Sequence, residues 1–265
     1  MMNKKDKLSI IDADGLIFKA AWAYRDAMNI GSVFAVQAEI DRQISALLNI
    51  THANYFVGFF GAEDCKNYRY DVATIKPYKG QRISEPWMSY FKPKIKEYFK
   101  NKWKFYEVGD IEGDDCLSIL FHLLNNDYNI TLIYEDKDLK QIPNHTCYNF
   151  GKKTLTKISS QEAIKNLWLQ VITGDSSDNV PGLPGKGPAA AEQILKDCTT
   201  DIEMFEAVKL AYFEVYLTWD LAISHLLEQY LLIKMLDQPK FDFPETIQLQ
   251  NWTATTKIKK TILDI

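Results

Sequence analysis

The sequence predicts an α/β fold built on a mainly parallel sheet, followed by a helical region. Three observations carry this expectation. Short apolar runs alternate with segments of helical periodicity as far as Phe150, the pattern of helices layered on a parallel sheet. From Ser160 onward the pattern is almost wholly helical. Apolar residues make up 46% of the 265, enough for a packed core and too many for a disordered chain.

Leu8–Asp12 reads as a short buried strand, and Gly15 to about Met28 as a helix. Val36, Ile40, Ile44, Leu47 and Leu48 recur at helical spacing, which predicts a second helix over Val33–Ile50. Tyr55–Phe60 is an apolar strand. The segment that follows is expected to be helical in two pieces, because Pro93 removes an interior N–H donor. Trp103–Val108 reads as a strand, Asp114–Leu124 as a helix, Ile130–Tyr134 as a strand, Lys137–Gln141 as a short helix and Cys147–Phe150 as a last strand. The change near residue 160 divides the chain into an α/β part, 1–160, and a helical part, 161–265.

No run approaches the ~18 apolar residues of a membrane span. Leu8–Ile11 meets Asp12 and Asp14 at once, so the start does not read as a signal peptide. Four cysteines lie far apart without a CxxC pair, which argues against a disulfide framework or zinc site and for a reducing, cytoplasmic setting. The net charge of −4 hides a segregation. Nine cations and only Glu85 and Glu97 fall between Lys76 and Lys104, so this stretch carries +7 and the rest −11. Tyr78, Trp87, Tyr90, Phe91, Tyr98, Phe99 and Trp103 are interleaved with the cations. Cations hold phosphates and aromatic faces stack on unpaired bases, so the mixture suits a single-stranded nucleic acid. An amphipathic helix with a solvated basic face would show the same composition.

Acidic residues recur just after the expected elements: Asp12; Glu112, Asp114 and Asp115; Asp136 and Asp138; Asp175 and Asp178. Loops at the C-terminal edge of a parallel sheet converge on one crevice, which would bring these eight carboxylates together. Like charges ~4 Å apart repel by about 4 kcal/mol at an effective dielectric near 20, so such a cluster needs cations. Oxygen ligands without His or Cys select hard ions, Mg2+ or Mn2+. Two such ions could activate a water and stabilise the leaving oxygen of a phosphodiester. Next to the last acids, Gly182-Leu183-Pro184-Gly185-Lys186-Gly187 forms a glycine-rich turn before a helix opening at Pro188. Gly182, Gly185 and Gly187 would let the backbone approach a phosphate, with Lys186 as a point charge, the pattern of a helix-hairpin-helix near 174–196.

Taken in order, these motifs resemble the 5′-nuclease family, the flap endonucleases and 5′–3′ exonucleases, and are most similar to its freestanding bacteriophage members and to the 5′-nuclease domain of bacterial DNA polymerases. Ile10-Ile11-Asp12 with Phe18-Lys19 resembles the family's first metal-binding strand. Pro77-Tyr78-Lys79-Gly80-Gln81-Arg82 resembles its YKGxR element, in which the Lys and Arg contact the scissile phosphate. Glu112-Gly113-Asp114-Asp115 is similar to ExDD, Glu135-Asp136-Lys137-Asp138-Leu139 to GDKDL, and Asp175–Asn179 with Val180–Gly187 to GDxxDN and its hairpin. The likeness covers roughly residues 8–200. It implies a PIN-like core with a helical arch near 76–104, catalytic roles for Lys79 and Arg82, and the eight carboxylates as holders of two Mg2+ or Mn2+ ions. It further implies a K+ ion at the hairpin and Tyr78 as a base-stacking residue. The expected substrate is DNA with a free 5′ end or 5′ flap, or an RNA primer, cut by a monomer in a bacterial or phage-infected cytosol. Replication proteins or a polymerase in trans are the expected partners.

One departure stands out. The family carries an Asp just after the second central strand, where this chain has Ala62, with Glu63 and Asp64 next to it. A catalytically weakened DNA-binding relative is the alternative this raises. Asp12-Ala13-Asp14-Gly15 also resembles the DxDG of haloacid-dehalogenase-type phosphatases, in which Asp12 would be the nucleophile and Asp14 the general acid/base.

Overall fold

The computed structural model describes residues 5–62, 66–239, 243–244, 246–252 and, as backbone, 260–261. Strand β1 (Lys7–Asp12) leads to helices α1 (Ala13–Trp22) and α2 (Ile30–Ile50), then β2 (Tyr55–Gly61). Helices α3 (Arg69–Val72) and α4 (Pro86–Tyr98) precede β3 (Tyr106–Val108); α5 (Gly113–Leu124) precedes β4 (Asn129–Tyr134). A 3₁₀ turn over Asp138–Gln141, β5 (His145–Asn149) and β6 (Thr154–Ile158) complete this part. Helices α6 (Ser160–Thr173), α7 (Pro188–Ile194), α8 (Asp201–Tyr216) and α9 (Trp219–Ile233) follow, then β7 (Gln248–Asn251) and β8 (Lys260–Thr261).

Strands β1 to β5 are mutually parallel in the spatial order β5-β4-β1-β2-β3. The chain therefore runs outward from β1 in one direction through β2 and β3, and in the other through β4 and β5. The switch point lies between β1 and β4, where an open α/β sheet offers its crevice. The central strands β1, β2 and β4 are largely apolar on both faces, and each face of the sheet has its own core. Leu16, Val36, Ile40, Phe60, Phe91 and Phe99 pack on one side. Leu8, Val57, Leu117, Leu120, Leu132 and Ile247 pack on the other. A third core, around Val171, Ile172, Leu183, Val208, Tyr212 and Leu226, belongs to the helices.

The termini of the helices are set by capping. Asn29 accepts from Ser32 N at the start of α2, and Ser159/Glu162 and Thr200/Glu203 form reciprocal capping boxes on α6 and α8.

Four expectations are corrected. Helix α4 runs unbroken through exposed Pro93 and changes only at Phe99, where a π-helical turn spans Phe99–Trp103. Buried Trp87, Phe91 and Ile95 hold it to the core on both sides of the proline, so packing overrides the lost hydrogen bond. Trp103 consequently belongs to that turn, and the strand begins only at Tyr106. Strand β6 pairs antiparallel with β5; it is polar and exposed along most of its length and shows no apolar alternation to announce it. The division at residue 160 is not clean, because β7 returns to the sheet and pairs antiparallel with β2, Phe56 opposite Gln250.

Candidate active site

A cleft of about 910 Å³ opens over the C-terminal ends of β1, β2, β3 and β4. Asp12, Glu112, Asp114 and Asp136 line it together with Lys79 and Arg82. Each arrives by a local rule. Asp12 ends β1 and caps α1, accepting from Asp14 N. Glu112 is the cap position of α5, and Asp114 lies in its first turn. Asp136 follows β4 and accepts from Asp138 N at 2.9 Å.

Lys79 and Arg82 reach the cleft because residues 77–82 are laced to residues 176–179. Lys79 N donates to Asp178 O at 2.8 Å, Asn179 Nδ2 to Pro77 O at 2.8 Å, and Arg82 Nε to Ser177 O at 3.3 Å. Lys79 is held there at a φ of +53°. Its ammonium pairs with Glu112 and stands 3.9 Å from Asp178, and the Arg82 guanidinium pairs with Asp178. The basic pair is thus seated on the acids.

The remaining acids are divided. Asp175 accepts from Ser177 N and Oγ at 2.7 and 2.6 Å and lies 3.0 Å from Lys137 Nζ. Asp138 accepts from Gln170 Nε2. Asp115 is a correction: its carboxylate is fully buried and turned away from the cleft. Both its oxygens accept from Arg69, at 2.6 and 3.0 Å, and one also from Leu236 N at 2.9 Å. Three hydrogen bonds hold it to Arg69 and Leu236 and away from the other acids. Arg69 also donates to Leu232 O and Lys234 O, so this pair fastens α5 to the end of α9.

Tyr78 is a second correction. Its ring is buried in the helical core, and its hydroxyl donates to Asp178 at 2.8 Å and approaches Glu112 at 3.2 Å. It orients two acids and offers no face to a base. Trp87, Phe91, Phe99 and Trp103 are likewise core residues, so α4 is an amphipathic helix whose lysines border solvent, except Lys96, which is buried and donates to Gly61 O. Gly182 is a third correction. Its N–H donates to Gln229 Oε1 at 2.8 Å and is not available to a phosphate. Its φ of +67° and that of Gly174, +70°, let the two glycines pack where either Cβ would fall within 2.6 Å of backbone. Gly185 and Gly187 are exposed and Lys186 is half-buried at the tip of the same turn. Glu63 and Asp64, the acids weighed for the place beside Ala62, lie outside the described residues.

Electrostatics bear out the crowding. Burial, then repulsion from Asp14 and Asp136, pushes Asp12 up to about 7. Burial and the neighbouring Glu112, Asp115 and Asp136 push Asp114 well above the carboxylate range. Burial, Asp136 and Asp175 push Asp138 up to about 7. Glu112 goes the other way: burial opposes its charge, but Lys79 and Arg69 hold it below its ordinary value. Among the described residues no three His, Cys, Asp or Glu side chains form a ready cage for one ion. Mg2+ does not need one, since it keeps several waters and is bound through one or two carboxylates. An all-oxygen donor set whose members repel one another fits such a cation and would lose its repulsion on binding one.

Asn67 and Arg69 escaped the sequence reading, while Asp14 enters it only through the phosphatase alternative and Phe18 only within the first metal-binding motif. Asn67 donates to Glu112 at 2.8 Å; Arg69 holds Asp115; Asp14 lines the cleft; and Phe18, half-exposed, forms its wall and stacks on Trp22 with ring centroids 5.7 Å apart. Only for Phe18 was there a signal, a large apolar residue on the polar side of α1.

No family model matches the chain. It is 26% identical over 224 residues to DNA polymerase I of Bacillus subtilis, covering 78% of this chain and 25% of that one. To the 5′-3′ exonuclease of Mycoplasmopsis pulmonis it is 24% identical over 229 residues, covering 78% of this chain and 72% of the relative. The chain therefore spans about a quarter of the length of the polymerase relatives it matches. Among solved structures, the T5 D15 protein co-crystallised with metal ions superposes with a TM-score of 0.67 at 16% identity, over 86% of this chain and 89% of that one. The D15 flap endonuclease of bacteriophage T5, in a complex with DNA and metal ions, gives 0.64 at 17% identity, over 85% and 89%. At these identities the structures establish a common fold, and the sequence relatives add a similarity over about three quarters of the chain. Motif order, fold and relatives together support the 5′-nuclease family.

Proposed function

We propose that this protein is a divalent-metal-dependent 5′-nuclease that hydrolyses phosphodiester bonds in DNA at free 5′ ends or 5′ flaps. The observation that carries the reading is one cleft in which Asp12, Glu112, Asp114 and Asp136 face Lys79 and Arg82. Acids alone would suit many metal enzymes. Acids with two cations poised over them suit a substrate that brings its own negative charge. A phosphatase built on Asp12 and Asp14 leaves Glu112, Asp114 and the Lys79–Arg82 pair without a task.

Two Mg2+ or Mn2+ ions, bound by Asp12, Glu112, Asp114 and Asp136 with Asp138, Asp175 and Asp178 behind them, would supply a hydroxide nucleophile and neutralise the leaving oxygen. Lys79 and Arg82 exchange Glu112 and Asp178 for the scissile phosphate and stabilise its developing charge. Tyr78, through Asp178 and Glu112, keeps the acids in place during that exchange. The exposed Phe18–Trp22 pair and the lysines of α4 border the path of an unpaired strand, and the turn at Gly185, Lys186 and Gly187 faces duplex backbone, with K+ as its ion. Lys137 bridges the cleft to Asp175. A polymerase is the fitting partner, since the relatives carry this region within DNA polymerase I.

The test is cleavage of an end-labelled 5′-flap duplex with Mg2+, with Mn2+ and with chelator, beside Asp136→Asn. Metal-dependent cutting near the junction, lost in the variant, supports the reading. Tight DNA binding without cutting in either metal assigns the chain to the binding-only alternative that Ala62 raises.

A further inference from the structure

Three of the four strand ends at the cleft deliver an acid: Asp12 from β1, Glu112 and Asp114 beyond β3, and Asp136 beyond β4. Strand β2 ends in Gly61, and neither it nor Ala62 carries a carboxylate; Glu63 and Asp64 lie outside the described residues. The place is nevertheless filled from another element. Asp14, in the first turn of α1, turns its carboxylate onto the end of β2. Its Oδ2 accepts from Gly61 N at 2.8 Å and would lie 3.6 Å from a Cβ on Gly61. The other oxygen, Oδ1, is out of solvent and has no hydrogen-bond partner. Lys92 Nζ stands 3.4 Å from it, in ion-pair range without a hydrogen bond.

A carboxylate needed only to hold the Gly61 N–H would leave its second oxygen to water or to a donor. An oxygen withdrawn from solvent and faced only by an ammonium that makes no hydrogen bond to it is incompletely satisfied, and a bound divalent cation would compensate it more fully. Asp14 also reaches this place while capped into α1 directly behind Asp12, so the two acids approach the cleft from one rigid helix start. We propose that Asp14 supplies, from α1, a metal-binding acid at the end of β2, with Lys92 as the counter-ion that an incoming divalent cation displaces. This rests on the nuclease reading and deepens it: Ala62 is then a relocation of an acid and not its loss.

The experiment is calorimetric titration of the full chain with Mn2+, with bound ions counted by electron paramagnetic resonance. The chains compared are the wild type, Asp14→Asn, and Asp14→Asn combined with Ala62→Asp. Expected are a loss of Mn2+ affinity of about 10-fold or more in Asp14→Asn, with unchanged circular dichroism, and its recovery in the double variant. Recovery requires an acid at the β2 end and not merely an intact one, so a structural role for Asp14 would not produce it. Wild-type affinity in Asp14→Asn overturns the proposal, as does a loss that Ala62→Asp fails to restore. A wild-type chain that takes up no Mn2+ overturns the nuclease reading and this proposal together, whereas uptake that ignores Asp14 leaves that reading standing.

Discussion

Asp12 serves two ends that conflict. As the cap of α1 it stabilises the fold, while as a half-buried carboxylate near Asp14 and Asp136 it destabilises it. Asparagine caps equally well and carries no charge. Asp12→Asn should therefore raise the metal-free stability by about 1–3 kcal/mol at pH 8, read by urea denaturation, and lower cleavage by more than ~100-fold. The sign follows from the shift. The group ionises near 3.8 when unfolded and near 7 when folded, so its cost develops as pH rises between those values and the gain should vanish at pH 4. Arg69 and Asp115 predict the reverse. Removing one partner of a buried pair leaves an uncompensated charge, so Arg69→Met should cost about 3–5 kcal/mol. Asp115→Asn should likewise lower stability while Mn2+ affinity stays within ~3-fold of wild type. A collapse of metal affinity in a folded Asp115→Asn chain would return Asp115 to the ligand set. Glu112, Asp114 and Asp115 look alike in the sequence. They differ because a helix turns its side chains by about 100° per residue, which sends 114 toward the cleft and 115 toward Arg69.

At the scale of elements, the glycine turn after α6 separates into a packed half and an open half. Gly182→Ala would drive a Cβ to 2.4 Å from Gly174 N and 2.5 Å from Ile172 O, on a backbone at φ +67°. It should cost more than about 3 kcal/mol and weaken DNA binding only through unfolding. Gly185→Ala has open space around it and only the φ of +75° to oppose it. Its cost should be near 1 kcal/mol, and it should weaken duplex binding in the folded chain if this tip faces the phosphates. Thermal melts beside binding isotherms separate the two. Helix α4 offers a cleaner case. Pro93 is exposed inside a continuous helix and forfeits one hydrogen bond there. Pro93→Ala should therefore stabilise the protein by about 1–3 kcal/mol without altering cleavage; a destabilised variant would mean that the ring is needed by its neighbours.

For the whole molecule, two populations of titratable groups oppose each other as pH falls. Asp12 and Asp138, both raised to about 7, regain protons and relieve the cleft. His145 works against them. It is buried between Tyr134 Oη, 2.9 Å from Nε2, and Ile142 O, 2.6 Å from Nδ1, and burial lowers it to about 4. Its stabilising contribution is complete above 6.5 and is lost as pH falls toward 4. In the metal-free wild type the two trends offset. In His145→Gln the opposition shrinks to that of His122, which burial also lowers, so melting temperature should rise more between pH 7 and pH 5 than it does in the wild type; an unchanged profile would show that His145 does not offset the acids.

The amino-acid sequence by itself determined the alternation of strands and helices, the order of the acidic clusters, and the Lys79–Arg82 element. These are local properties, fixed by periodicity, capping and turn chemistry within a few residues. Only the tertiary structure decided which acids face the cleft, that the interleaved aromatics are core, and that β7 closes the sheet edge beside β3. Each of those depends on contacts between residues far apart in the chain, Asp115 with Arg69, Tyr78 with Asp178, Phe56 with Gln250. Asp14 shows the difference most plainly: in the sequence it stands two places from Asp12, and in the fold it stands on Gly61. A side chain's direction is set by what its element packs against, and that partner is never its neighbour in sequence.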